Sequence, residues 1–191
     1  MEKLARSWLI ASAAVTSFGL APRHATAGDL QLTVVVYDHA HLNAQTLAAA
    51  ERTTSAIFER ASVQVVCART ACLRGRTPRC FSARGSRTLV VKLQPESEAT
   101  RYGVRAVCGG IGFDSGAIIF MRRFDATWLS HIMAHELGHM LLGPHAHSVT
   151  GIMRGTLLPE DWVKAAQGTL GFTRSQNQQI RRWIAERTRR S

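Results

Sequence analysis

The segment 134–153 reads AHELGHMLLGPHAHSVTGIM and carries His135, Glu136, His139, His145 and His147. Histidines four residues apart share one face of a helix, so His135 and His139 project side by side. Two imidazoles held that way can grip one zinc ion at about 2.0–2.1 Å from each nitrogen. Glu136 is turned one helical step away, beside the ion rather than on it. There it can take a proton from metal-activated water and return it to a leaving amine, the chemistry of peptide-bond hydrolysis. Chance places H-E-x-x-H in a chain of this composition only about 0.01 times, which argues against incidental histidines.

A helix supplies two ligands on this face, so a third must come from beyond Gly143. That glycine lets the chain leave the helix in a left-handed conformation, and Pro144 prevents its resumption. A histidine two or four residues later can turn back toward the metal. In an extended segment His145 and His147 lie on the same side, so the residues alone leave both open. Glu160 is a further candidate, in the manner of zinc peptidases whose third ligand is a downstream glutamate. Behind Pro159, however, its charge is already explained by the first turn of a helix. His131, one turn before His135, could support a ligand; an ordinary core or surface histidine is the simpler reading.

Here the segment resembles the metzincin clan of zinc endopeptidases, whose pattern is H-E-x-x-H-x-x-G-x-x-H followed by a methionine-containing turn. His135, Glu136 and His139 match without alteration, and the clan's spacing puts the third ligand at His145. The glycine falls one place late, at Gly143, with Leu142 in the expected position. A closer resemblance is to secreted bacterial proteins of metzincin type with the pattern H-E-x-x-H-L-L-L-G-x-x-x-H-S-x-x-G-I-M. The stretch HELGHMLLGPHAHSVTGIM departs from it only in Met140 for the first leucine. That resemblance implies one catalytic Zn2+ held by His135, His139 and His147, with Glu136 as general base. It also implies a methionine turn at Gly151-Ile152-Met153, with Met153 as an apolar floor under the imidazoles. Metzincins often place a tyrosine soon after that methionine. Arg154 and Gly155 follow here, and the only tyrosines are Tyr37 and Tyr102.

The elements that must position these residues are legible from pattern. LQLTVVVYD (30–38) is rich in β-branched residues and reads as a buried first strand. Asn43 can cap a helix through AQTLAAAERTTSAIFERA, with Leu47, Ala50, Ile57, Phe58 and Ala61 on its apolar face. SVQVVC (62–67) and TLVVKL (88–93) read as strands, and GAIIFMRRF (116–124) as a fourth. That fourth strand is a plausible edge for pairing with an extended peptide. Residues 68–87 read as a loop, QPESEATRYG as a polar connector and VCGGIGF as a glycine-rich turn. The metal helix runs through DATWLSHIMAHELGHMLLG, capped by Asp125 or Thr127 and ended by Gly143. Pro159 opens a short helical piece, and Thr173 with Gln176 forms a capping box for a last helix. The expected fold is α+β, zincin/metzincin-like: a mixed twisted sheet, a helix after the first strand, an H-E-x-x-H helix and a C-terminal helix.

The chain has 191 residues and a formal net charge of +11. Lys3 and Arg6, an apolar run from Trp8 to Leu20 and the small residues Ala25-Thr26-Ala27 form the three-part pattern of a signal peptide. Cleavage after Ala27 would leave 28–191 as a single domain, secreted or periplasmic. The apolar run is too short to span a bilayer comfortably, and no other stretch approaches that length. Behind a signal peptide, Cys67, Cys72, Cys80 and Cys108 argue for two disulfides, with three pairings open. The positive charge suits anionic surfaces or solubility, and no recognised nucleic-acid fold or interleaved aromatics accompany it. The expected partner is a peptide or protein substrate. The rival readings are a zinc-containing binding protein without catalysis and a cationic polyanion-binding module built on the 69–87 and 181–190 arginines.

Overall fold

The computed structural model describes residues 30–69, 87–104, 110–112, 116–122 and 125–190. The expected signal peptide lies outside them, as do Cys72, Cys80 and Cys108 and hence the disulfide expectation. Among the described residues no helix is long and apolar enough to cross a membrane.

The strands are β1 (Gln31–Asp38), β2 (Gln64–Arg69), β3 (Thr88–Pro95), β4 (Gly110–Gly112) and β5 (Gly116–Met121). They form one mixed sheet in the order β2-β1-β3-β5-β4. The first four in that order are parallel, and β4 alone runs antiparallel, against β5. β1 is internal to the sheet, which explains its nearly continuous apolar run. Leu32 and Val34 are buried on one face and Val35 on the other. Parallel β1 and β2 require a crossover, which α1 (Ala44–Glu59) supplies. The side chain of Asn43 accepts the Gln45 N–H at 2.8 Å and caps α1 as expected.

Alternation assigns the two faces of the sheet. Leu32, Val34, Val36, Leu89, Val91, Leu93, Ala117 and Ile119 point into the main core with the helices. Ile118 and Phe120 point the opposite way, against Ala99, with Val104 and Ile111 packed beside them. That second cluster sits under a 3-10 helix, Glu96–Tyr102, in the segment expected to be a plain connector. Tyr102 packs on Phe120 with ring centroids 5.6 Å apart.

Helix α2 (Ala126–Leu142) lies in the middle of the main core and is buried on most of its circumference. Asp125 caps it, its carboxylate accepting the Trp128 N–H at 2.7 Å. The hydroxyl of Thr54 in α1 lies 3.2 Å from the carbonyl of Ser130 and joins the two helices. α3 (Pro159–Ala166) begins at Pro159, and α4 (Arg174–Arg190) follows the expected capping box. Gln176 Oε1 accepts the Thr173 N–H at 2.9 Å, and Thr173 Oγ1 accepts the Gln176 N–H at 3.4 Å. Two arginines of α4 make contacts of their own. Arg181 donates to the carbonyl of Ala61, and Arg187 stacks over the ring of Trp183.

Two expectations about strands need correction. The strand in 116–124 ends at Met121 and is no edge, because β3 and β4 flank it. The edge on that side is β4, inside the stretch expected to be a glycine turn. Two glycines in three residues give no strand propensity and no apolar alternation, so β4 exists through its pairing with β5.

Candidate metal centre

His135 and His139 come from adjacent turns of α2, and His147 from the segment that follows its C-terminal Gly143. Gly143 has φ 101°, a backbone conformation side chains disfavour, and its N–H closes the helix on the carbonyl of His139 at 2.8 Å. The chain then doubles back. His139 Nε2 lies 3.0 Å from His135 Nε2 and 3.1 Å from His147 Nε2. All three ligand atoms fall within 4.8 Å of one another, close enough together to hold a metal ion. Among the described residues this is the sole such cluster. His145, Glu160 and His131 are not in it.

The tautomers can be read from the partners. The Nδ1 of His135 lies 2.8 Å from the carbonyl of Ile152, and a carbonyl only accepts, so Nδ1 carries the proton. The Nδ1 of His139 faces the carbonyl of Gly143 in the same way at 3.3 Å. Neutral rings protonated at Nδ1 present bare lone pairs at Nε2, and these converge. A proton could bridge one pair of nitrogens, whereas a cation satisfies all three. Two nitrogens on a tetrahedral zinc lie about 3.3 Å apart, near the spacings found here. The donor set therefore fits zinc: three imidazoles, two of them held neutral and oriented by backbone carbonyls. Burial pushes the His135 imidazole down to about 4, against the opposing hydrogen bond from Ile152. Burial also lowers His139. Both rings are thus held neutral, the form that ligates.

The loop carrying His147 is tied at both flanks. Gln176 of α4 donates through Nε2 to the carbonyl of Ala146 at 3.3 Å and to Ser148 Oγ at 3.1 Å. The Ser148 N–H reaches the carbonyl of Met153 at 2.9 Å. Gly155 lies against the His147 ring: a Cβ there would sit 3.3 Å from its Nδ1. Sequence pattern had marked Gln176 only as a helix cap.

The Gly151-Ile152-Met153 turn sits under α2. Gly151 has φ 78°, and a Cβ on it would also meet the carbonyl oxygen of Gly171 at 2.7 Å. Ile152 and Met153 are wholly buried. Met153 reaches the helix at Gly138, where a Cβ would overlap its sulfur and lie 3.0 Å from Phe172 Cε1. The turn thus does two things at once: its Ile152 carbonyl orients His135, and its methionine packs against the helix at Gly138.

Glu136 points toward β4. Its side chain is buried, at 6 % exposure, and burial alone pushes its carboxyl up to about 7. Antiparallel pairing sets Ile111 opposite Ile118, in the second cluster, so Gly110 and Gly112 face α2. A Cβ on Gly110 would lie 2.9 Å from Cγ, Cδ and Oε1 of Glu136. The missing side chain is the room the carboxylate occupies.

These residues line a cleft of about 1300 Å3 between β4 and the segment 154–157. Trp128, Ile132, His135 and His139 form its floor on one face of α2, and Trp162, Arg154 and Arg187 contribute to its wall. The helical spacing of Trp128 and Ile132 to the ligands would have revealed the floor from sequence. Arg154 and Trp162 carried no such signal. No family model matches the chain, and no curated protein matches it.

Proposed function

We propose that the protein is an exported zinc-dependent peptidase of metzincin type, with His135, His139 and His147 as ligands and Glu136 as general base. The observation that carries this reading is the convergence of ring nitrogens from His135, His139 and His147 beside a buried carboxylate that, among the described residues, has no salt bridge. Zinc held there supplies Lewis acidity toward a carbonyl oxygen and acidifies water.

The chain's own groups divide the remaining work. Burial pushes Glu136 up to about 7 before any ion is bound, so the cleft itself favours a proton on this carboxyl. Glu136 takes a proton from the attacking water and delivers it to the departing amine nitrogen. His135 and His139 stay neutral through burial and keep their orientation through the carbonyls of Ile152 and Gly143. An extended substrate can add its backbone along the outer edge of β4, which among the described residues has no further strand beside it. Gly110 and Gly112 bring that edge close to Glu136 and His139.

A binding protein that kept zinc for structure would have no use for Glu136. A buried carboxylate with no cationic partner among the described residues costs stability, and such groups cluster at reactive sites. The test is zinc content and casein or peptide cleavage for the wild type and Glu136→Gln. Metal in both, with cleavage in the wild type alone, is expected. Cleavage that survives the substitution, or a zinc-loaded wild type that cuts nothing, sinks the catalytic reading.

A further inference from the structure

Arg154 follows the methionine turn directly, and its two chain neighbours are fixed. Met153 is wholly buried under α2, and Gly155 lies against the ring of His147. Arg154 therefore joins the wall of the cleft beside the three histidines. Its Nε lies 3.1 Å from Oδ2 of Asp161, whose side chain is only 1 % exposed. The same Oδ2 accepts the N–H of Leu158 at 3.0 Å, which anchors the carboxylate in the first turn of α3. Contact between Arg154 and Asp161 is charge to charge rather than an aligned hydrogen bond, since the Nε–H is buried without a properly directed acceptor.

An arginine has five N–H donors on three nitrogens. Asp161 approaches at Nε, and the side chain of Arg154 remains 24 % exposed and lines the cleft. A guanidinium held in place beforehand loses little freedom when it binds a second, planar, two-oxygen acceptor. The surroundings favour such a ligand. Arg187 lines the same wall, its guanidinium 3.5 Å from the centroid of the Trp183 ring. On the opposite wall Glu96 is held by Arg122 at 2.9 Å, so it does not oppose an incoming anion at full charge. Trp128, Ile132, Leu157 and Trp162 give the space between apolar sides.

We infer that Arg154 forms a carboxylate-binding subsite of the cleft, selecting peptides with an acidic side chain or a free C-terminal carboxylate within a residue or two of the bond at the histidines. The selection of peptides rests on the peptidase reading above; the carboxylate site itself rests on Arg154 and Asp161. Asp161 acts here as a positioning residue, turning the guanidinium toward the cleft.

The test uses the full chain after chelation, so that a carboxylate is not scored for binding the ion. Three probes of nearly equal shape differ in whether and where they carry one carboxylate: N-acetyl-Leu-Glu-amide on the side chain, N-acetyl-Leu-Gln at a free C-terminus, and N-acetyl-Leu-Gln-amide nowhere. Binding is read from the NMR shifts of the Trp128 and Trp162 indole N–H groups. At least one carboxylate probe should bind about tenfold or more tighter than the amide, as charge-assisted pairing requires. Which of the two does so separates side-chain from terminal recognition. Arg154→Gln should bring the ratio close to one. Arg154→Gln with Asp161→Asn should do the same while leaving no unpaired buried charge, which guards against misfolding of the single variant. Equal binding of all three probes by the wild type, no binding of any, or discrimination that survives the substitutions overturns the subsite. Turnover is not read in this experiment. A protein that cleaves nothing would sink the peptidase reading and leave the result on Arg154 standing.

Discussion

Gly110 and Glu136 share one volume: a Cβ on the glycine would lie 2.9 Å from three atoms of the glutamate side chain. The relationship ties the edge strand to the proposed base across more than twenty residues of sequence. Because the crowded atoms are the outer part of a long side chain, Glu136 can swing away instead of straining the backbone. Gly110→Ala should therefore cost little stability and leave zinc binding intact, while cleavage falls about tenfold to a hundredfold through misplacement of the base. Calorimetry, metal content and peptide turnover on one preparation check all three. Unchanged turnover would show that the carboxylate's position does not matter.

A second close approach lies on the opposite side of the ligand helix. Met153 occupies the place of a Gly138 Cβ, with Phe172 closing the space. Both residues are buried, so the added methyl has nowhere cheap to go. Gly138→Ala should destabilise by about 1–3 kcal/mol, as overpacking does. The same change in a Met153→Ala background should cost less. That non-additivity, measured by urea unfolding, is the signature of direct contact. Purely additive effects would place the strain elsewhere.

The two histidines beyond the helix separate cleanly by metal affinity. His147→Ala should remove one of three ligands and reduce zinc affinity by orders of magnitude, whereas His145→Ala should bind as the wild type does. Gln176→Ala tests the support of His147 through Ala146 and Ser148. Loss of such an outer support costs about 10–100-fold in affinity. Competition titration against a chromogenic chelator ranks the three variants. Equal losses for His145 and His147 would contradict the observed cluster.

Glu136 also sets a pH dependence on stability in the metal-free protein. Folded, its carboxyl titrates near 7, against an ordinary value of 4.5. Between those values the folded state binds more protons, so stability falls as pH rises through the window. Glu136→Gln removes the cost. Its advantage over the wild type should be near zero below pH 4.5 and reach roughly 3 kcal/mol by pH 8. His135, lowered to about 4, works in the opposite sense and loses stability as pH falls from 6.5. Present in both proteins, that contribution cancels in the difference. Denaturant unfolding in chelator across pH 4–8 measures it, and a pH-independent difference would refute the assignment.

Much of this architecture was legible beforehand because local rules govern it. The β-branched run of β1, the Asn43 and Asp125 caps, the Gly143 stop and the Thr173–Gln176 box all appear where pattern placed them. Each depends on residues within a few positions of one another. The same holds for the pairing of His135 with His139, a consequence of helical period alone. Neither the strand 110–112 nor the internal place of β5 is legible in the sequence, because strand order depends on partners distant in sequence.

What the sequence determined by itself is therefore the chemistry on offer: two candidate ligands and a carboxylate on one helix, followed by two further histidines. Physical reasoning on the chain left His145 and His147 equally able to return. Tertiary structure decided between them, because the path after Gly143 is set by Gln176 of α4 and by the Met153 carbonyl. It also decided the surroundings of Glu136, through glycines on a strand that exists only by pairing with β5. Placement of a side chain by elements far away in sequence leaves no period and no spacing to read.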